Sequence, residues 1–401
     1  MSEIIKTDVA IIGAGLVGLA AAVAMHQAGQ SVVIVDAKTP AKTQLANDAL
    51  ANETWDTRIY AISPKNAAWL SDLGVWQDLN PARIGHMQAM EIFGEPTLAP
   101  IHLLADDVNA DDLGFIVEAS ALSQALLKKI ASLGIETVFN MPCRAIQSSE
   151  KNSILTLENG QVIESTLLIA ADSSQSWVRQ QLNLPLRHKS YAQSAIVANF
   201  KVEKPHGNVA RQWFSIIEDK NSILAWLPLP DNTISIVWSV STNLAENLLK
   251  LSDDAFATQV QDAGGALLGD LTLLGARAAF PLVMQKADDY TQQSVVFMGD
   301  AAHKIHPMAG QGVNLGFRDV MDFMGILKIK NPYQPINDDS LLKKYARKRK
   351  VDMLNMLLLT DGLYQLFESQ NKVIKKVRHW GMSATNHKVI KKMLVENAVA
   401  L

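Results

Sequence analysis

Residues 8–36 read DVAIIGAGLVGLAAAVAMHQAGQSVVIVD, and this stretch decides the fold. Asp8 to Ile12 is a short apolar run of the buried-strand type, followed at once by Gly13-Ala14-Gly15-Leu16-Val17-Gly18. An Ala-rich segment to about Ala28 reads as a helix that Gly29 stops, and Ser31 to Val35 is a second apolar run ending in Asp36. Strand, tight turn, helix and strand in that order call for a parallel sheet. Gly13 permits the turn, Gly15 lets backbone approach a pyrophosphate, and Gly18 allows close packing of helix on strand. Ala14, Leu16 and Val17 complete a loop whose N–H groups, at the positive end of a helix, can hold phosphates. Asp36 lies 18 positions beyond the last glycine. Its carboxylate suits adenosine ribose hydroxyls and would repel a 2′-phosphate.

A second turn separates a flavin from a nicotinamide cofactor. The apolar run Val295 to Met298 leads into Gly299-Asp300-Ala301-Ala302-His303, and then into His306-Pro307-Met308-Ala309-Gly310-Gln311-Gly312-Val313-Asn314. An aspartate at a strand end, here Asp300, can bind ribityl hydroxyls. The glycine-rich turn opens another helix near Gly312, whose N-terminal amides can face the electron-rich edge of an isoalloxazine. His303 and His306 are expected to shape this turn by hydrogen bonding. No spacing of Asp, Glu or His suggests a metal site, and no catalytic side chain is assigned.

Outward from these turns, Leu122 to Leu133 has helical spacing, and Ile135 to Phe139 and Ile154 to Leu157 read as short strands. Asn159-Gly160 supplies a hairpin turn before Val162. After Pro185 the character changes. Ser194 to Val202, Arg211 to Ile217, Ile223 to Leu229 and Ile234 to Val240 are β-rich runs without intervening helices, which predicts an antiparallel sheet. Its aromatic residues Phe200, Trp213, Phe214, Trp226 and Trp238 could line a pocket or simply form core. The expected architecture is α/β: a Rossmann-like FAD-binding domain (1–75, 96–185, 286–330), an inserted antiparallel β-sheet substrate domain (76–95, 186–285) and a C-terminal helical segment (331–401).

Composition sets outer bounds. The chain has 401 residues, 48% hydrophobic and 19% charged, which is ordinary for a globular protein. Its single cysteine, Cys143, allows neither an intrachain disulfide nor a cysteine-based cluster and fits a reducing cytosol. The N-terminus lacks the pattern of a signal peptide, and no apolar run approaches the roughly 18 residues of a membrane span. Net charge is −3, yet residues 343–401 hold 13 Lys and Arg against 4 Asp and Glu. Lys372, Lys375, Lys376 and Arg378, then Lys388, Lys391 and Lys392, alternate with apolar residues as basic amphipathic helices. Such a tail is either a packed cap with a solvated face or a contact with an anionic membrane or partner.

The string from His306 to Asp319, HPMAGQGVNLGFRD, resembles the signature of the ubiquinone-biosynthesis hydroxylases, FAD-dependent monooxygenases with the para-hydroxybenzoate hydroxylase fold. Asp56-Thr57-Arg58-Ile59-Tyr60-Ala61-Ile62-Ser63 is similar to that family's DxRxxALS segment, and the likeness runs from the first strand to about Asn355. It implies FAD as cofactor, NAD(P)H as reductant, and hydroxylation of a polyprenylated phenol through a C4a-hydroperoxyflavin. It also implies that Arg58, Gln124 and Asp172 join Gly299, Asp300, Pro307, Gly310, Gly312, Val313 and Asn314 around FAD. Two departures stand out: the family's Asp-Gly is Asp172-Ser173 here, and an arginine usual near residue 120 is absent from Glu118-Ala119-Ser120-Ala121. Alternatives are a hydroxylase of a smaller soluble aromatic compound, or a flavoprotein scaffold without turnover. No nucleic-acid partner is expected. The expected location is the cytoplasm, with peripheral attachment to the cytoplasmic face of the inner membrane if the tail serves that end.

Overall fold

The computed structural model describes residues 4–40, 55–94, 100–217, 220–304 and 311–368. Ile4–Ile12 lies inside an eight-stranded sheet whose main path runs Thr291–Gln292, Val295–Phe297, Val162–Ala170, Ile4–Ile12, Val32–Val35, Glu136–Val138. Its central pairings are parallel, as with Val9 opposite Leu167 on one side and Val32 on the other. The hairpin expected at Asn159-Gly160 adds Ser153–Leu157 and, beyond it, Cys143–Ser148 as antiparallel strands. Strands covered on both faces read as continuous apolar runs, and Val9 to Ile11 and Val33 to Val35 are wholly buried.

Eight α-helices stand among the described residues: α1 (Leu16–Gln27), α2 (Pro64–Asp72), α3 (Ala119–Leu133), α4 (Trp177–Gln181), α5 (Thr242–Lys250), α6 (Asp253–Ala263), α7 (Gln311–Lys328) and α8 (Asp339–Glu368). Helix α1 is apolar nearly all round and is buried from Gly18 to Met25, so its small residues pack against neighbours on every side. None of these helices is long and apolar enough to cross a membrane.

A second eight-stranded sheet runs His303–Lys304, Leu271–Ala287, Leu186–Val202, Thr233–Ser241, Lys220–Leu229, Val209–Ile217, Ala89–Phe93, Ile101–Leu104. It is antiparallel except where Val209–Ile217 runs parallel to Ala89–Phe93. Period two sorts its two faces. Ile196, Phe200, Leu224, Trp226, Ile236 and Trp238 point to one side and form a core with Phe256 and Val260 of α6. The other side carries smaller residues.

A three-stranded sheet of Ile59–Ile62, Gly114–Glu118 and Gly85–Met87 lies between the two large ones in the chain's path. These pairings cut across the expected domain limits. Ile101–Leu104, assigned to the FAD-binding stretches, extends the large antiparallel sheet beside Ala89–Phe93. His303–Lys304 joins that sheet too, through Leu271–Ala287. Gly85–Met87, assigned to the substrate stretches, pairs instead with Gly114–Glu118. The limits were read from a change in composition, whereas sheet membership depends on pairing between distant segments.

Candidate active site

The turn after Ile4–Ile12 is built by close backbone approach. Gly13 has φ +109°, and a Cβ there would sit 2.3 Å from the Ala171 carbonyl oxygen. A Cβ on Gly18 would sit 2.0 Å from the Gly13 oxygen. Gly15 differs, because nothing lies within 4 Å of where its Cβ would be. Gly15 is also the N-cap of α1 and makes no side-chain capping bond, so the first amides of α1 remain available.

These amides face a cavity of about 890 Å³, within the range of sites that hold a large organic ligand. Ala14, Gly15, Leu16 and Val17 line it on one side, with Arg58, Asp300, Gly312, Val313 and Asn314. Gly13, Gly18 and Gly299 shape that wall without lining it. Val17 ties the parts together, because its Cγ2 would lie 3.1 Å from a Cβ on Gly299 and 2.5 Å from one on Gly316. Helix α1, the Gly299 turn and α7 therefore meet at one point.

The acidic residues divide by role. Asp300 is half-buried, lines the cavity and takes no hydrogen bond from the described residues. Burial pushes its carboxyl above the ordinary range, opposed by the charges of Lys304, His303 and Arg58. Asp36 is outside the cavity wall. Its Oδ2 accepts the Ala14 N–H at 2.6 Å and its Oδ1 accepts the Lys38 N–H at 2.8 Å, so it fastens the glycine turn directly. Asp172 also stands behind the wall. Its Oδ2 accepts the Val178 N–H at 3.0 Å at the start of α4. Burial raises its carboxyl, with the Ser176 hydroxyl and the Val178 amide opposing. Burial, with Asp172 and Asp36 nearby, also pushes the Cys143 thiol up to about 12, which leaves it inert near neutral pH.

Asn314 lines the cavity yet spends its amide on the protein. Its Oδ1 accepts from the Ser63 N–H at 3.0 Å and from Asn66 Nδ2 at 2.8 Å, and its Nδ2 donates to the Ala61 oxygen at 2.7 Å. The start of α7 is thus pinned to the Arg58 segment. Arg58 itself is exposed to the cavity, 5.7 Å from the centre of the Tyr60 ring. Gln124 is half-buried on α3 and outside the wall, to which that region gives Ala119, Ser120 and Ser123. Pro307, Gly310 and His306 lie outside the described residues.

Three supports were not found from the sequence. Asp319 is wholly buried; its Oδ2 accepts the Gly299 N–H at 2.7 Å and lies 2.8 Å from His303 Nε2. Arg349 of α8 places its Nε 2.6 Å from Asp319 Oδ1 and its Nη1 2.7 Å from Asp322 and Asp352. His303 thus shapes the turn, as expected, and does so through Asp319. Separately, Glu118 pairs with Arg83 at 2.7 Å and accepts the Asp56 N–H at 2.8 Å. Asp56 then holds the N–H groups of Arg58 and Ser120 at 2.9 and 3.0 Å. Asn199 donates to the Asp56 oxygen at 3.0 Å from the antiparallel sheet. The signal for all three was a charged or amide residue inside an apolar pattern, which marks burial but not partner.

The opposite wall of the cavity is the small-residue face of that sheet. Ala195, Val197, Ala225, Leu227 and Val237 line it, with Met90 and Leu103 from the edge strands. Phe200, Trp226 and Trp238 are instead core on the far face. Trp213 stacks on Phe93 with centroids 5.0 Å apart. Of the two readings of these aromatics, core is correct for Phe200, Trp226 and Trp238, and the cavity exists because the facing positions are small.

The residues fit FAD: a helix N-terminus with available amides and an open glycine stand at one end, and an unpartnered carboxylate, Asp300, stands where ribityl hydroxyls can donate to it. Known proteins agree. A family model described as an FAD binding domain matches residues 6–356. The chain is 31% identical to the ubiquinone hydroxylase UbiL of Rhodospirillum rubrum, over 94% of this chain and 85% of that protein. It is also 31% identical to the 3-demethoxyubiquinol 3-hydroxylase of Escherichia coli, over 98% of this chain and 99% of that one. The p-nitrophenol 4-monooxygenase PnpA of Pseudomonas putida has a similar fold, with a TM-score of 0.76 and 15% identity, over 99% of this chain and 98% of that one. The chain belongs to the ubiquinone-biosynthesis hydroxylases, a family of FAD-dependent monooxygenases.

Proposed function

We propose that this chain hydroxylates a polyprenylated phenol that is a ubiquinone precursor, with NAD(P)H as reductant and dioxygen as oxidant. The observation that carries the reading is a single cavity with two unlike walls, phosphate- and ribityl-binding turns on one and a small-residue apolar face on the other. FAD, when bound, supplies the redox chemistry that activates oxygen. The chain's own tasks are to orient the ring and keep water from the reacting centre, for which Ala195, Val197, Ala225 and Val237 are suited. Phe280 lines the cavity and is 46% exposed, so the apolar wall continues to the surface, as a long apolar tail on the ring requires.

Purified protein with NAD(P)H and a farnesylated phenol under ¹⁸O₂ tests this. The expected product gains one labelled oxygen, the second oxygen leaves as water, and one NAD(P)H is oxidised per product. Oxidation of NAD(P)H without any hydroxylated product contradicts the reading, and absence of both reactions favours a scaffold.

We also propose reversible attachment to an anionic membrane surface from the cytoplasmic side. Its support is the seven basic residues between 372 and 392, against the single acidic residue Glu396 in 369–401. Residues 369–401 lie outside the described part. Each basic residue near such a surface contributes about 1 kcal/mol, screened by salt. Sedimentation with phosphatidylserine vesicles at low salt, lost when Lys375, Lys376, Lys391 and Lys392 are changed to Glu, is expected. Wild-type protein that stays in the supernatant at low salt argues for a packed cap.

A further inference from the structure

The sheet side of the cavity holds two polar side chains with no protein partner. Gln212 is 6% exposed and Ser239 is 3% exposed, and both line the cavity. Neither side chain has a hydrogen-bond partner among the described residues. Other buried amides nearby do have one: Gln193 Nε2 donates to the Asn221 oxygen at 2.7 Å, and Asn199 donates to Asp56. The polar atoms of Gln212 and Ser239 open onto the cavity and not into packed protein, so what completes them is whatever occupies that space.

Register fixes their relation. Gln212 lies opposite Ala225, which lies opposite Val237. Ser239 lies opposite Ile223 on one side and Ala195 on the other. Gln212 and Ser239 thus sit on adjacent rows of one face, two strands apart, with only apolar side chains between them. An aromatic ring lying on Ala225 and Val237 would have its edge substituents within reach of both.

The chemistry of the pair selects the ligand. An amide offers two donors and an acceptor, and a hydroxyl offers one donor and accepts as well; neither carries charge. Two cations of this sheet line the cavity among the described residues: Lys304, on the edge strand, whose charge acts on Asp300, and Arg211, whose Nε is 2.8 Å from Glu91. Both charges are therefore already engaged within the protein. We infer that Gln212 and Ser239 are specificity-determining residues that hydrogen-bond the oxygen substituents of a neutral aromatic ring, and that this wall selects phenol or methoxy oxygens over a ring carboxylate. This rests on the substrate reading above.

The test compares binding of 2-farnesylphenol and farnesylbenzene to the FAD-loaded protein, followed by perturbation of the flavin spectrum. Wild-type protein should favour the phenol by roughly ten- to a hundredfold, the range for one or two hydrogen bonds in a buried site. Gln212→Leu should bring phenol affinity close to that of the hydrocarbon, while FAD affinity is unchanged. The melting temperature of the ligand-free protein should stay level, because the amide faces the cavity and no hydrogen bond within the protein is lost. Ser239→Ala, which deletes a single oxygen, should narrow the preference in the same direction. A wild-type protein that binds neither compound overturns the substrate reading and this assignment with it. If wild-type protein prefers the phenol and both variants keep the full preference, the assignment alone is overturned. A lower melting temperature in Gln212→Leu with an unchanged preference makes the amide structural and overturns it likewise.

Discussion

Ser173 has φ +73°, the left-handed region where a side chain costs about 1–3 kcal/mol and glycine costs nothing. It stands where the family has glycine, yet the turn keeps the conformation a glycine would adopt. The Ser173 oxygen still accepts the Ser176 N–H at 3.1 Å, and the side chain is exposed at the cavity wall. The substitution therefore costs stability and leaves the turn's shape intact. Ser173→Gly should stabilise the protein by about 0.5–1 kcal/mol, after subtracting the greater entropy of unfolded glycine. For a chain of this size that is a melting-temperature rise of about 1–2 °C by differential scanning fluorimetry. A fall would mean the Ser173 side chain makes a contact worth more than the strain. The conflict between residue type and conformation was visible in the sequence only as a departure from a motif; the sign of φ was not.

Helix α8 acts on the cavity from behind. Its Arg349 and the Asp319 of α7 are both fully buried, and Asp319 holds the Gly299 N–H and His303. Burial alone would raise the Asp319 carboxyl, but the charges of Arg349 and His303 outweigh it and hold the group below the usual carboxylate range. A carboxyl lowered in the folded state contributes stability that is present above its unfolded value and lost as pH falls through the folded one. Arg349→Met leaves that charge buried without its partner and should cost about 3–5 kcal/mol. Equilibrium unfolding at neutral pH checks the size, and the wild type should lose its advantage over the variant as pH falls below the ordinary carboxylate range. An advantage that is constant with pH would contradict the pairing. None of this was legible from residues 306–319 as a motif, because a motif marks Asp319 as present without naming a partner on α8. Helices α1, α3 and α7 and the hairpin at Asn159-Gly160 were legible, since they follow local periodicity and turn chemistry, whereas α2, α5, α6 and the strands Ala89–Phe93, Ile101–Leu104 and Leu271–Ala287 were not read.

Across the whole molecule the function comes from two sheets facing one space. The parallel sheet delivers its turns at Gly13 and Gly299 to one end, and the antiparallel sheet gives its small-residue face to the other. The glycine turns and Asp300 could be read from the sequence because backbone constraints leave a local mark. The sheet wall could not, because Ala225 and Val237 gain meaning only when period two, pairing and register place them opposite the FAD turns. Gln124 and Asp172, which the motif placed at the cofactor, stand directly beside Ser123, Ala171 and Ser173 of the cavity wall. Asp300, by contrast, lines the cavity and is unpartnered, so its loss should weaken FAD binding with little cost to the fold. Charged hydrogen bonds contribute about 1.5–3 kcal/mol, roughly a ten- to a hundredfold change in affinity. The most direct measurement is a calorimetric titration of the apoprotein with FAD, for the wild type and for Asp300→Ala. Saturable one-to-one binding by the wild type, weakened ten- to a hundredfold in the variant, is the predicted result; a wild-type apoprotein that takes up no FAD, or a variant that binds it equally well, would contradict the account.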